Sequence, residues 1–146
     1  MSRRFTLAEA GRLLPHVGRL IREAVRLKAE MAEAEALLQG VSHQITLSGG
    51  MVVDRSRALE ARSQRDSSAR GLKSALEKIE QTGCVVKDLD VGLVDFPTLF
   101  RGSEVYLCWK LDEPAIRFWH GVDEGFAGRK PIDQEFLDNH RGEPAK

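Results

Sequence analysis

Acidic side chains and one histidine gather near the ends of predicted strands, and they are the residues best suited to chemistry. The segment KDLDVGLVD is rich in aspartate, and His120 is closely followed by two more acidic residues. Carboxylates and an imidazole are ligands for Mg²⁺, Mn²⁺ or Zn²⁺. The candidate metal ligands are Asp88, Asp90, His120, Asp123 and Glu124. The structural alternative is that the aspartates form a hairpin turn and that His120 belongs to the core.

A second candidate site follows from the register expected for the last hairpin. If residues 112–115 form a four-residue loop, Lys110 faces Arg117 and Cys108 faces Trp119. Two like charges opposite each other are unfavourable unless a carboxylate or a bound anion lies between them. The candidate ligand-binding residues around this anion are Asp95, Tyr106, Lys110, Arg117, Trp119 and Arg129. The alternative is an exposed face of solvated side chains.

The segment GVDEGFAGRKPI, residues 121–132, combines three glycines with two basic residues. Such a loop could hold a phosphate on its backbone amides. It lacks the spacing of a P-loop and does not join a strand to a helix, as that motif requires. We therefore favour a loop pinned by Phe126, in which Arg129 bridges to Asp123 or Glu124.

Nucleophilic catalysis has less support, because no serine lies in a Gly-x-Ser-x-Gly turn. The two cysteines, Cys84 and Cys108, fall in or beside predicted strands and are interpreted as small buried apolar residues. A metal site of both cysteines with His120 is the less favoured alternative. Since no complete catalytic motif is present, the chain is not assigned as an enzyme, and a divalent metal is the one cofactor considered.

Length and composition limit the class of protein. The chain has 146 residues, of which 42% are hydrophobic and 30% charged. That is enough for one domain, which can bury roughly two-thirds of its unfolded surface. Twenty-two basic residues balance 22 acidic ones, which argues against a general nucleic-acid or membrane-surface binder. No signal peptide or membrane span is recognisable, and the two cysteines favour a reducing, cytoplasmic location.

The first helix begins with a capping box. Phe5, Thr6 and Glu9 match a hydrophobic residue before an N-cap threonine and a glutamate three positions later. Pro15 would cost a hydrogen bond inside the helix. We therefore expect a short helix ending near Leu14 and a second one over residues 15–39, stopped by Gly40. A single kinked helix is the alternative.

The long helix carries an apolar seam with alternating spacings of four and three, which is typical of a coiled coil. Its members are Leu13, Val17, Leu20, Ala24, Leu27, Met31, Ala34 and Leu38. A loop is expected over residues 41–50. A further helix should begin at Asp54 or Ser56 and end near Thr82, before Gly83.

The seam of this later helix is uneven. Ala69, Leu72, Leu76 and Ile79 continue the four-three spacing, but its backward extension reaches arginines. The apolar stripe of the first helix would then lack partners within one hairpin. We therefore predict that a second copy of the chain covers the stripe, which gives a homodimer.

An antiparallel sheet should follow Gly83, because the apolar pattern changes to alternation and the residues become β-branched and aromatic. The predicted strands are residues 85–89, 93–96, 104–111 and 115–120. Short connections favour a meander. Beyond Ile132 the chain is polar, so a loosely held tail is expected over residues 133–146.

Two runs of the chain, GCVVKDLDVGLVDFP (residues 83–97) and VYLCWKLDEPAIRFWHGVDEGFAGRKP (residues 105–131), follow a helical hairpin that opens with FTLAEA. In these runs the sequence resembles the uncharacterised prokaryotic family called domain of unknown function 2203. The likeness covers about residues 5–132. It implies a small α+β protein and brings no activity or catalytic residue with it.

The sequence thus predicts one α+β domain over residues 1–132. Its parts are a helical hairpin (5–82), a four-stranded antiparallel meander (83–120) and a loop (121–132). The favoured function is a non-catalytic interaction or scaffold protein that self-associates through the hairpin and meets an unknown protein partner. The alternative is a small-ligand or metal-binding protein, which could be a metal-dependent enzyme. Nucleic acid and membrane are not expected partners.

Overall fold

The computed structural model describes residues 3–47 and 55–142, with the backbone alone for residues 41–47. In chain order the elements are α1 (Leu7–Leu47), α2 (Arg55–Gln81), β1 (Val85–Asp88), β2 (Leu93–Phe100), β3 (Ser103–Lys110), β4 (Phe118–Gly121), a 3₁₀ turn (Phe126–Gly128), β5 (Lys130–Pro131), α3 (Gln134–Asn139) and β6 (His140–Arg141). No helix among these residues is long and apolar enough to cross a bilayer.

The chain forms two compact units. The sheet unit comprises the residues up to Arg22 and those from Leu76 onward, and the hairpin unit is Glu23–Ala75. Both long helices contribute to both units. The α+β class predicted from the sequence is confirmed.

The capping box at the start of α1 is confirmed. The backbone amide of Glu9 donates to Thr6 Oγ1 at 3.1 Å, and the amide of Thr6 donates to Glu9 Oε1 at 3.0 Å. Phe5, just before the cap, is fully buried and meets Phe96 edge-to-face with ring centroids 5.5 Å apart. Local sequence therefore sets the beginning of the helix, and the core holds it in place.

The predicted ends of the first helix are wrong. α1 runs without a break through Pro15 and through Gly40 to Leu47. Burial of Val17 and Ile21 after the proline outweighs the hydrogen bond that the proline removes. A glycine inside a helix costs about 1 kcal/mol, too little to end a long one. Residues 48–54, which include the predicted loop end and the Asp54 cap, lie outside the described residues.

In the hairpin unit α1 and α2 run antiparallel. Glu30 accepts from Gln64 and Ser68, whereas Leu27, one turn earlier, lies against Gly71 of α2. A Cβ at Gly71 would lie 3.0 Å from a methyl group of Leu27, so this glycine permits the close approach. The hairpin predicted from the sequence is confirmed.

Small residues form the inner face of α2, which corrects the predicted seam. Ser68 is buried and Ala69 is exposed, so the seam follows Ala61, Ser68 and Ala75. The α1 stripe is covered within one chain, since Ala24, Leu27 and Ala34 are 0%, 8% and 6% exposed. The premise of an uncovered stripe is therefore wrong.

The sheet has the order β1-β2-β3-β4-β5, and β6 pairs with the free side of β2 beyond the end of β1. Every pairing is antiparallel. The predicted four-strand meander is confirmed, and two short strands extend it.

β2 is longer than predicted, because it continues through Pro97 to Phe100. The Pro97 carbonyl accepts from the amide of Phe5 at 2.6 Å. Within an antiparallel strand the amide and carbonyl of a residue point the same way, so the missing N–H faces away from β3 and removes no bond between β2 and β3. The turn to β3 consists of Arg101 and Gly102, both with positive φ, as in tight hairpins.

The register predicted between β3 and β4 is wrong by one residue. Cys108 pairs with Phe118, Leu107 with Trp119 and Tyr106 with His120. The connection runs from Leu111 to Arg117 and is longer than the four residues assumed. Because side chains alternate along a strand, this shift moves Trp119 to the opposite face of the sheet from Cys108.

The central strands thus have two faces. The apolar face carries Val94, Phe96, Leu107, Trp109 and Trp119, and the polar face carries Asp95, Tyr106, Cys108, Phe118 and His120. The apolar face packs on Phe5 and on Phe136 of α3.

As far as residue 142, where the described residues end, the tail is not loosely held as predicted. Phe136 of α3 is buried and stacks on Phe100 with ring centroids 5.0 Å apart. His140 Nε2 accepts from the amide of Leu7, and Gly142 lies against the Thr6 cap with no room for a side chain. Residues 134–142 therefore complete the core and the start of α1.

Candidate functional site

A buried cluster of three metal-ligating side chains occupies the polar face. Asp95 of β2 lies directly opposite Cys108 of β3, and His120 comes from β4. One ligand atom of each, a carboxylate oxygen, Sγ and a ring nitrogen, lies within 4.8 Å of the other two. The three residues are 0%, 0% and 3% exposed. Strand pairing alone therefore brings three donors of different chemistry to one point.

His120 is held at both ring nitrogens. Its Nδ1 lies 2.8 Å from the Gly121 carbonyl oxygen, and its Nε2 lies 3.0 Å from each oxygen of the Asp95 carboxylate. A carbonyl oxygen only accepts, so Nδ1 carries a proton. Nε2 then either donates to the carboxylate as part of an imidazolium or offers its lone pair to a cation.

Cys108 is a protonated thiol when no metal is bound. Burial and, to a smaller extent, the negative charge of Asp95 together raise the pKa of this thiol to about 12. The S–H group donates to the Asp95 carboxylate. A bound cation reverses this preference, because a coordinated thiol is deprotonated.

A stacked arginine lies beside the cluster. Both oxygens of the Glu113 carboxylate accept from Arg129 Nη2, at 2.8 and 2.7 Å. The guanidinium lies 4.1 Å from the ring centroid of Phe118 and 4.5 Å from that of Phe126. The positive charge of Arg129 lowers the pKa of Cys108, against the larger effects of burial and Asp95.

The arrangement matches the chemistry of a transition-metal site. Sulfur, imidazole nitrogen and carboxylate oxygen are all zinc ligands. A metal-bound histidine characteristically donates its other N–H to a carbonyl or carboxylate, as Nδ1 of His120 does to Gly121. All three ligands fall inside the two sequence runs singled out above.

Residues 3–132 match the family model described as an uncharacterized conserved protein, DUF2203. The chain belongs to this family. All three side chains of the cluster lie within the matched region of this DUF2203 member. Comparisons with curated proteins and with solved structures gave no match.

Of the five metal ligands predicted from the sequence, the cluster contains His120 alone. Asp88 Oδ1 accepts from the Asp90 amide at 3.0 Å, in the turn between β1 and β2. Glu124 accepts from the Gly121 amide at 2.7 Å and pairs with Lys130. These hydrogen bonds, with the positive charge of Lys130, lower the pKa of the Glu124 carboxyl. Asp123, in the same turn, is exposed.

The predicted ligand-binding residues are divided between the two faces. Tyr106 lies beside His120, with ring centroids 5.5 Å apart, and Asp95 belongs to the cluster. Trp119 lies on the apolar face, where it packs on Phe100 and Phe136.

The basic members of that predicted set are also apart. Arg117 is exposed in the connection before β4. The Lys110 amide donates to Glu113, and its ammonium lies 5.7 Å from the Phe126 ring centroid. Arg129 pairs with Glu113, so the predicted bridge to Asp123 or Glu124 is wrong. Phe126, expected to pin this loop, is 46% exposed and stacks with Arg129.

Cys108 was considered as a metal ligand only in the less favoured site with Cys84 and His120, and Asp95 was assigned to the anion site; the cluster joins Asp95, Cys108 and His120 without Cys84. The alternation of Cys108 with Leu107 and Trp109 predicted a buried small residue, and the burial is confirmed. The signal that could have found the cluster is the tight turn at Arg101 and Gly102. A two-residue turn there sets β2 against β3 so that Asp95 faces Cys108.

Proposed function

We propose that this protein binds a divalent transition metal, with Zn²⁺ as the preferred ion, through Asp95, Cys108 and His120. The carrying observation is that three buried ligand atoms from three strands lie within 4.8 Å of one another. Buried polar groups are costly unless they are paired or bind a metal. A thiolate and an imidazole together favour zinc over magnesium or calcium.

The distances support a tetrahedral ion after a small adjustment. Zinc bonds of about 2.0 Å to oxygen or nitrogen and 2.3 Å to sulfur imply ligand-to-ligand distances of about 3.3 to 3.8 Å. The present separation between His120 Nε2 and the Asp95 oxygens is 3.0 Å. Opening by a few tenths of an ångström, with loss of the Cys108 proton, would admit the ion.

The proposed role is structural or regulatory. The ligands come from β2, β3 and β4, so a bound ion would join three neighbouring strands. Solvent does not reach the three side chains in this conformation, and a substrate would meet the same barrier. A free thiol as ligand fits the reducing, cytoplasmic location expected from the sequence.

The test is zinc binding to the purified full chain after treatment with a chelator. Native mass spectrometry should show one Zn²⁺ per chain, and Co²⁺ in its place should give the absorption of a thiolate-to-cobalt transition. Cys108→Ser should weaken zinc binding on the order of a hundredfold, because one of three ligands is lost.

Cys84→Ser is the matched control. Cys84 is also a buried free cysteine of the sheet unit, but its Sγ lies beside Thr82 Oγ1 at 3.0 Å and outside the cluster. Its replacement should leave zinc binding unchanged. Failure of the wild-type chain to retain one zinc, or an equal loss in both variants, would overturn the proposal and leave the cluster as a polar network of the fold.

The scaffold function and the homodimer predicted from the sequence have weaker support. Their premise was an uncovered stripe on α1, but Ala24, Leu27 and Ala34 of that stripe are buried within one chain. Self-association therefore stays a prediction, and the mass spectra that count bound zinc also count the subunits.

A further inference from the structure

An apolar groove of about 530 Å³ lies in the sheet unit, between the N-terminal part of α1 and the connection from β3 to β4. Leu14 and Pro15 line one side, and Trp109 and Ile116 line the other. Small-molecule sites commonly have volumes of about 300 to 1,000 Å³ and apolar walls. The groove is separate from the metal cluster, because Trp109 and Cys108 point to opposite faces of β3.

The floor of the groove on α1 is made of residues that weaken a helix. Gly11, Pro15 and Gly18 lie on one stripe at spacings of four and three. A Cβ added at Gly11 would meet nothing within 4 Å, and one at Gly18 would make an ordinary 3.7 Å contact with Trp109. Close packing therefore requires neither glycine. Their missing side chains leave the groove open.

The groove also offers polar groups at defined places. Pro15 has no N–H, so the Gly11 carbonyl lacks its usual helical donor. The indole N–H of Trp109 donates to the Glu113 carbonyl at 2.9 Å, which leaves the indole ring as an apolar wall. The wall formed by Trp109 is therefore apolar, and the charged residues that line the groove are arginines.

Positive charge lies on the rim. Arg19 and Arg22 line the groove, and no carboxylate does. Arg22 pairs with Asp112 at 3.1 Å. Within the described part of the chain, Arg19 has no carboxylate partner.

We infer that this groove binds a small molecule with an aromatic or other flat apolar body and a single carboxylate. The body lies against Trp109, as aromatic rings favour. The carboxylate pairs with Arg19, whose planar guanidinium matches two carboxylate oxygens. This assignment does not rest on the zinc proposal.

The test compares two probes that share an apolar body and differ in the carboxylate group. Phenylpropionate and phenylpropanol have the same ring and chain length, and their binding can be followed by calorimetry and by the tryptophan fluorescence to which Trp109 and Trp119 contribute. The carboxylate should bind at least about tenfold more tightly, because hydrogen bonds to charged groups are the stronger ones.

Two variants, each with a matched control, locate the site. Gly11→Leu fills the groove and should weaken both probes at least tenfold, while Gly40→Leu adds the same side chain to α1 where a Cβ likewise meets nothing within 4 Å. Arg19→Gln should remove the preference for the carboxylate. Arg12→Gln, an exposed position on the same helix outside the lining, should keep that preference.

Several results would overturn the inference. They are no binding of phenylpropionate at millimolar concentration, equal affinity for the two probes, or unchanged binding by Gly11→Leu. Thermal unfolding of each variant shows whether the fold is kept, and leucine in place of a helical glycine should not lower its stability.

Discussion

The apolar face and the polar face of the central strands are built on the same backbone and are held together differently. On the apolar face Phe96 and Leu107 are fully buried among other apolar side chains. On the polar face Asp95 and Cys108 are just as buried, but their neighbours are charged or hydrogen-bonding groups.

The two faces therefore depend on different physical effects. Stability on the apolar face comes from the apolar area removed from water and from close packing. Loss of side-chain volume there lowers the free energy of unfolding. Burial on the polar face is costly and is offset only while every polar group has a partner. The apolar face should respond to truncation, and the polar face should respond to proton, charge and metal.

Phe96→Ala should give the largest loss, because it removes a fully buried ring that packs on Phe5. We expect the free energy of unfolding to fall by about 3–5 kcal/mol, measured by urea denaturation. Val91→Ala, at an exposed apolar position, is the control and should change it by less than about 0.5 kcal/mol. Similar losses in the two variants would contradict a packed apolar face.

Asp95→Asn tests the polar face without changing volume. It removes the carboxylate that faces Nε2 of the buried His120, so the free energy of unfolding should fall by about 2–3 kcal/mol. The double variant with His120→Gln should lose less than the sum of the two single losses, by about 1–2 kcal/mol. Additive losses would mean that the two side chains do not interact.

Zinc should stabilise the wild-type chain through the polar face alone. At a free zinc concentration one hundred times the dissociation constant, linkage predicts a gain of about 2.7 kcal/mol, visible as a higher Tm. Phe96→Ala should gain the same free energy of unfolding from zinc, although the variant is less stable than the wild type without zinc. Cys108→Ser should show little, and an undiminished gain there would place the ion elsewhere.

Arg129 and Lys130 are adjacent cations that serve opposite faces. Arg129 is 9% exposed and stacks on Phe118, whereas Lys130 is half-exposed over Trp119. Arg129→Lys loses the planar guanidinium that stacks on Phe118 while it donates to Glu113, and it should cost about 1.5 kcal/mol. Lys130→Gln should cost less than about 0.5 kcal/mol. Equal losses of unfolding free energy in the two variants, measured by chemical denaturation, would contradict the different roles of Arg129 and Lys130.

In the presence of a chelator, the free energy of unfolding measured above pH 9 should depend on the Cys108 thiol. This thiol has a pKa of about 12 in the folded chain, against an ordinary value of 9. Between these values the folded chain holds more protons than the unfolded one, so stability falls as pH rises above about 9. The slope from one thiol is at most about 1.4 kcal/mol per pH unit.

Cys108→Ala should reduce the fall of the unfolding free energy with rising pH. Burial also raises the pKa of Cys84, so Cys84→Ala should act in the same direction. Its effect should be smaller, because a hydrogen bond from Thr82 and the charge of Arg3 oppose burial there. A larger effect from Cys84 would contradict the contrast between the two thiols.

Local signals were sufficient for much of the fold. The capping box at Thr6 and Glu9 and the stop at Gly83 involve neighbouring residues, and both lie where predicted. The apolar alternation after Gly83 predicted a strand over residues 104–111, and β3 covers Ser103–Lys110. These features depend on backbone geometry within a few residues, which sequence determines directly.

The site depended on pairings between distant residues. Pro97 was taken as the end of a strand, although its missing amide faces away from β3. A four-residue loop was assumed before β4, which put Trp119 opposite Cys108. Side chains alternate between the two faces of a strand. A one-residue error in the register of β4 therefore assigned His120 to the face opposite Asp95, and the pair was not predicted.

The hydrogen bond from the Leu7 amide to His140 joins residues that are synthesised at very different times. During synthesis, residues 3–22 leave the ribosome long before residues 136–142, which complete their cap and cover the sheet beside them. The start of the first helix therefore stays exposed until residues 136–142 have been translated. A chain cut after Ile132 would keep Asp95, Cys108 and His120, but the start of its first helix would stay exposed.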